Sequence, residues 1–152
     1  MSEALPQIEN LVRHRGQMLL IDRIVEASAA HVVGEVAISE TSSFFRKGRG
    51  VPAYVGLEYM AQTVSGFDGA RRAVTGEPPA IGFLLGTRRY VSNVPYFLAG
   101  SLLSVRADMV FSENGMAAFD CVISTFGEEL VRASLNVYRP ENGQMELPEG
   151  IA

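Results

Sequence analysis

One stretch limits the folds open to this chain more than any other. From Ala53 to about Val74, Leu57, Met60, Ala61, Val64 and Phe67 recur at helical spacing. A run of some twenty residues makes a rod about 30 Å long. Pro52 opens it, because a proline is tolerated in a first helical turn, and Gly76-Glu77-Pro78-Pro79 stops it. Gly66 and Gly69 weaken the helix intrinsically, so close packing against another backbone is their expected use. It is the one long helix candidate, and it needs something apolar to lie on.

The rest of the chain supplies that partner as strands. Leu5 to Arg15 reads as a short helix or turn. Met18 to Val25 reads as a buried strand and His31 to Ile38 as a second, with Val32, Val36 and Ile38 opposed to His31 and Glu35. A polar, basic loop from Ser39 to Gly50 leads to the helix. Beyond Ala80, Leu103, Val105, Ala107, Met109 and Phe111 alternate with polar neighbours, and Asn114-Gly115 signals a hairpin. Phe119, Cys121 and Ile123 form the returning stripe, Gly127 another turn, and Val131, Ala133, Leu135 and Val137 the last strand. The expected architecture is α+β, an antiparallel sheet wrapped around one long central helix. Such a sheet leaves an edge exposed, so pairing with a second copy is expected.

Length and composition agree with a single domain spanning 1–152, whose tail from about residue 140 is acidic, contains proline and is expected to fray. No apolar run is long enough to span a bilayer and no signal peptide is evident, which makes the cytoplasm the expected location. Thirteen basic and 17 acidic side chains give a net charge of −4, which argues against a general nucleic-acid binder. Two histidines and one cysteine at unrelated spacings match no metal-ligand pattern. Cys121, inside an apolar strand, reads as a small buried hydrophobe rather than a nucleophile.

Three stretches resemble the 3-hydroxyacyl-acyl carrier protein dehydratases, whose fold is the hot-dog. The first is His14-Arg15-Gly16-Gln17-Met18-Leu19-Leu20-Ile21-Asp22-Arg23-Ile24. The second is Phe44-Phe45 followed by Gly56-Leu57-Glu58-Tyr59-Met60-Ala61-Gln62, similar to the family's paired aromatics and its Glu four residues before a Gln. The third runs from Gly82 to Tyr90, with Pro95 and Gly100. The overall pattern is most similar to the divergent dehydratase-like proteins associated with aryl-polyene synthesis. One departure stands out: the family's loop histidine is missing from the shorter interval Arg46-Lys47-Gly48-Arg49-Gly50-Val51-Pro52.

The resemblance implies chemistry on an acyl thioester carried by a phosphopantetheine arm, with no other cofactor. Dehydration needs a base for the α-proton, an acid for the departing hydroxyl, and polarisation of the thioester carbonyl. Glu58, on the first turns of an otherwise apolar helix segment, is the acid/base candidate; the plain alternative is a carboxylate that only favours the helix dipole. Gln62 follows one turn later and can orient it. Backbone amides at Gly56 and Leu57, at the helix start, could hold the thioester oxygen, or Gly56 could serve packing alone. His14 either replaces the loop histidine as base or ties the N-terminal segment to a backbone carbonyl. His31 reads as exposed.

Basic side chains group along the chain: Arg46, Lys47 and Arg49 before the helix, Arg71 and Arg72 near its end, and Arg88-Arg89 after the next strand. The first group is the expected docking rim for an acidic acyl carrier protein or for the phosphates of coenzyme A. Tyr54, Phe83, Leu85 and Tyr90 either line an acyl channel or belong to the core. Three functions follow: a dehydratase-like hydro-lyase of a fatty acid or polyketide-type pathway, a thioesterase of the same fold, or a non-catalytic or half-catalytic subunit paired with a histidine-bearing homologue. The expected assembly is a homodimer, or a heterodimer with such a relative.

Overall fold

The computed structural model describes residues 19–75 and 83–138. Its elements are β1 (Arg23–Ala27), β2 (His31–Ala37), β3 (Val51–Pro52), a 3-10 turn (Ala53–Val55), α1 (Gly56–Thr75), β4 (Phe83–Ser92), β5 (Tyr96–Phe97), β6 (Leu102–Glu113), β7 (Met116–Thr125) and β8 (Glu128–Tyr138). Six strands form one antiparallel sheet in the order β1-β2-β6-β7-β8-β4, and β3 pairs with β5 beside it. α1 lies against β1, β2, β6 and β7. This is the expected sheet around one helix.

Period-two burial explains why the sheet holds the rod. Val32 and Val36 of β2, Leu103, Val105 and Ala107 of β6, Phe119, Cys121 and Ile123 of β7, and Val131, Ala133 and Leu135 of β8 are all buried. From the helix, Tyr59, Met60, Val64 and Phe67 enter the same core. Phe67 meets Phe119 edge to face, ring centroids 5.6 Å apart, and Tyr59 meets Phe97 at 5.9 Å. Gly34 of β2 lets the helix come close, since a Cβ there would lie 2.7 Å from the Thr63 hydroxyl. Asn114 and Gly115 take φ of 53° and 82°, as a two-residue hairpin of this hand requires.

Several boundaries differ from the sequence reading. Among the described residues strand pairing begins at Arg23, and Leu19, Leu20 and Ile21 form a non-strand lead-in to it. The helix proper starts at Gly56, because Val51 and Pro52 are drawn into pairing with β5 and Ala53–Val55 turn more tightly. Phe111 is 49% exposed instead of continuing the buried stripe. A register shift between Met109 and Phe111 moves it to the other face, as one extra residue must in a period-two element. Arg88 and Arg89 lie within β4 rather than after it, at a second register shift where Arg89 takes φ of 55°. The first helix or turn, His14 and the tail after Pro140 lie outside the described residues.

Candidate active site at the start of the central helix

Glu58 sits in the first turn of α1, where the exposed amide dipoles of a helix favour a carboxylate. It is half-buried rather than solvated. One turn on, Gln62 is completely buried and uses both ends of its amide. Its Oε1 accepts from the Leu20 N–H at 2.8 Å and the Ile21 N–H at 3.4 Å, and its Nε2 donates to Glu58 Oε1 at 3.2 Å. The lead-in to β1 therefore fixes the glutamine, and the glutamine fixes the carboxylate. The structure brings Glu58 and Gln62 together as their spacing implies.

The expected amide donors are not available. Gly56 N–H is shared between the Ala53 and Tyr54 carbonyls of the 3-10 turn, and Leu57 N–H donates to the Tyr90 hydroxyl oxygen. These two of the donors that a helix start leaves open are thus engaged within the chain. Gly56 serves close packing: a Cβ there would lie 2.5 Å from the Tyr90 hydroxyl, 2.9 Å from Ile123 Cδ1 and 3.1 Å from Phe97 Cζ. Tyr90 donates onward to the Ala53 carbonyl at 2.5 Å. Burial pushes its phenol up to about 12, with the Leu57 amide opposing the rise.

Of the four residues considered for an acyl channel, Tyr54 and Tyr90 are engaged otherwise. Tyr54 is 63% exposed and its hydroxyl accepts from Arg46 Nη2 at 3.0 Å. Tyr90 is turned in against Gly56. A recess of about 250 Å³ is polar and lies beside Tyr59, the next residue after Glu58; Leu20, Asp22, Ser39, Thr41 and Ser42 help to line it. Asp22 Oδ2 accepts from the Ala37 N–H at 2.6 Å. Burial, then the Asp22 carboxylate, then Tyr90 hold the Tyr59 phenol well above its usual range. Sequence reasoning missed this recess, although Asp22 stood within the quoted motif; the serines and threonine carry no spacing signal.

The remaining candidates separate. His31, read as exposed, is largely covered, and both ring nitrogens are engaged: Nε2 with Glu26, and Nδ1 with Ser28 Oγ at 2.6 Å. Cys121 is buried and its thiol is pushed up to about 12 by burial, which suits a core residue rather than a nucleophile. Arg46, Lys47 and Arg49 sit on a tight turn closed by an Arg46–Gly50 bridge. Among the described residues no group of His, Cys, Asp and Glu could hold a metal ion. No described helix is long and apolar enough to cross a membrane.

The comparisons agree with this architecture. The FabZ 3-hydroxyacyl-[acyl-carrier-protein] dehydratase of Acinetobacter baylyi is 27% identical over 139 residues, covering 88% of this chain and 92% of that protein. A chain of the dehydratase heterocomplex ApeI:P from Xenorhabdus doucetiae superposes with a TM-score of 0.85 at 27% identity, covering 91% of this chain and 94% of that one. A hypothetical thioesterase from Streptococcus pneumoniae, solved with coenzyme A, shares the fold at a TM-score of 0.61 and 14% identity, over 82% of this chain and 88% of that one. The model of the ApeP-like family, described as ApeP dehydratase, matches residues 6–148, and the chain belongs to that dehydratase family.

Proposed function

We propose that the protein acts in the removal of water from a 3-hydroxyacyl thioester borne on an acyl carrier protein, with Glu58 supplying one of the two proton-transfer groups. The observation that carries this reading is the held carboxylate: half-buried, at a helix start, and fixed by a fully buried glutamine. In the reaction one group takes the α-proton. The C–H electron pair becomes the new double bond, the C3–O bond breaks, and a second group protonates the departing hydroxyl so that it leaves as water. A positioned carboxyl can do either half of that exchange.

The second group is a histidine. His14 is the candidate within the chain. A histidine from a paired hot-dog subunit is the other, and two observations favour it: the interval from Arg46 to Pro52 holds no imidazole, and the similar solved assembly is a dehydratase heterocomplex. Engagement of the Gly56 and Leu57 amides within the chain points the same way, because the thioester carbonyl then needs donors from elsewhere. The substrate arm itself supplies the activated thioester, and the reading calls for no further cofactor.

The test is turnover of 3-hydroxyacyl thioesters by the chain alone and with its co-purifying relative, scoring enoyl product and free thiol separately. Enoyl product with no thiol release is expected. Glu58→Gln should lower the rate at least a hundredfold, the usual reach of a positioned acid or base, with circular dichroism unchanged. Thiol release in place of enoyl product would make the protein a thioesterase, and wild-type turnover in the variant would remove Glu58 from the site. Activity that appears only with the relative, and survives His14→Gln, assigns the histidine to that subunit.

A further inference from the structure

The segment where dehydratases of the resembled family place a loop histidine is built here as a rigid basic hairpin. Arg46 N–H donates to the Gly50 carbonyl at 2.8 Å, and the Arg46 carbonyl accepts from Arg49 N–H at 2.9 Å and Gly50 N–H at 3.0 Å. Gly48 and Gly50 take φ of 76° and 131°, and Gly50 lies so close to β5 that a Cβ would collide with the Phe97 carbonyl. The cations at its tip are therefore presented from a fixed backbone.

Their side chains are arranged as well. Arg46 Nη2 donates to the Tyr54 hydroxyl at 3.0 Å. Arg49 Nη1 reaches the Tyr96 hydroxyl at 3.4 Å, with its guanidinium 5.9 Å from that ring's centroid. Hydrogen bonding by Arg49, joined by Arg46, draws the Tyr96 phenol below its ordinary value. Each guanidinium is thus held by its own phenol, Arg46 by Tyr54 and Arg49 by Tyr96. Arg23, Arg106 and Arg132 each pair with a carboxylate (Glu35, Asp108 and Glu129). Among the described residues Arg46, Lys47 and Arg49 pair with none.

We propose that Arg46 and Arg49, backed by Tyr54 and Tyr96, form a clamp for the phosphate of a carrier-protein-borne phosphopantetheine arm. This rests on the acyl-thioester reading above. Two planar guanidiniums offer paired donors matched to phosphate oxygens, and two phenols add hydroxyls. Tyr54 lies in the 3-10 turn that leads straight into α1, four residues before Glu58, so clamp and carboxylate stand at the same end of the helix. An arm gripped at its phosphate would then run its thioester toward Glu58. The net charge of −4 makes a nucleic-acid backbone a poor rival occupant.

Calorimetry on the full chain, with its partner subunit where one co-purifies, tests the clamp with two ligands: an acylated phosphopantetheine amide and the same molecule without phosphate. The phosphate should tighten binding roughly ten- to a hundredfold, the scale of one or two charge-assisted hydrogen bonds. Arg46→Gln/Arg49→Gln should erase that difference and leave the phosphate-free ligand's affinity unchanged; Tyr54→Phe/Tyr96→Phe should shrink it. In turnover the arginine pair should raise KM for the carrier-borne substrate with kcat unchanged, an effect that a merely structural role would not produce. Equal affinity for both ligands, or a phosphate advantage that survives in the double arginine variant, overturns the clamp and leaves the dehydratase reading standing. Binding of neither ligand overturns both. Arginine dependence confined to coenzyme A thioesters overturns the assignment to a carrier protein.

Discussion

Gln62 concentrates more hydrogen bonding in the core than any apolar side chain of its size could, and three groups depend on it: the Leu20 and Ile21 amides and the Glu58 carboxylate. Gln62→Leu keeps the volume and strands those amides without a partner. The expected cost is about 1–3 kcal/mol of stability, the penalty for buried donors left unmet, together with a fall in turnover as Glu58 loses its brace. Urea unfolding measures the first effect and initial rates the second; unchanged stability would mean that water replaces the amide. The pairing of Glu58 with Gln62 was legible because helical spacing is a local property. The fate of the Gly56 and Leu57 amides was not. Their acceptors include a tyrosine hydroxyl from β4, more than thirty residues downstream, and no local pattern announces it.

Between elements, the sheet and the rod come close where Gly34 of β2 faces Thr63 of α1. Thr63 is fully buried and its hydroxyl donates to the Tyr59 carbonyl at 2.8 Å, so it has little freedom to yield. Gly34→Ala would place a Cβ 2.7 Å from that hydroxyl and should destabilise the fold by about 1–3 kcal/mol. In a Thr63→Ala background the same change should cost at least about 1 kcal/mol less, the coupling expected of residues in direct contact. Equal costs in both backgrounds would show that the helix rides higher over β2 than this. Strand identities were readable at this scale because burial repeats every two residues. Positions beyond a bulge were not: Phe111 and Arg89 each follow or occupy a register shift, and a shift is settled by the partner strand rather than by the strand's own composition. The basic hairpin was legible as charge and illegible as a structure, since Tyr96 lies 47 residues from Arg49.

For the whole molecule, the buried acids make alkaline pH a weakness. Burial raises the Cys121 thiol from 9.0 to about 12, and the Tyr90 phenol from 10.0 to about 12. The folded chain keeps these protons at pH values where the unfolded chain has begun to release them. Stability is therefore intact below about pH 9 and declines between pH 9 and 12, with the more deeply buried Cys121 contributing a slope approaching about 1.4 kcal/mol per unit and the partly exposed Tyr90 less. Urea midpoints recorded across that range should fall, and Cys121→Ala should flatten the decline between pH 9 and 10 whatever it does to the midpoint at neutral pH. The outer edges of the sheet pose the opposite question, what is added rather than lost. The strand order leaves β1 and β4 at the margins, and β4 is ten residues long. A strand of that length presents a row of unpaired amides that invites another strand. A second hot-dog subunit laid along β4 would cover it. The expected outcome is that the complex with a histidine-bearing relative runs as one species in light scattering, and that β4 amides facing away from β8 exchange slowly within it and quickly in the chain alone. Fast exchange of those amides in an active complex would place the partner elsewhere on the fold.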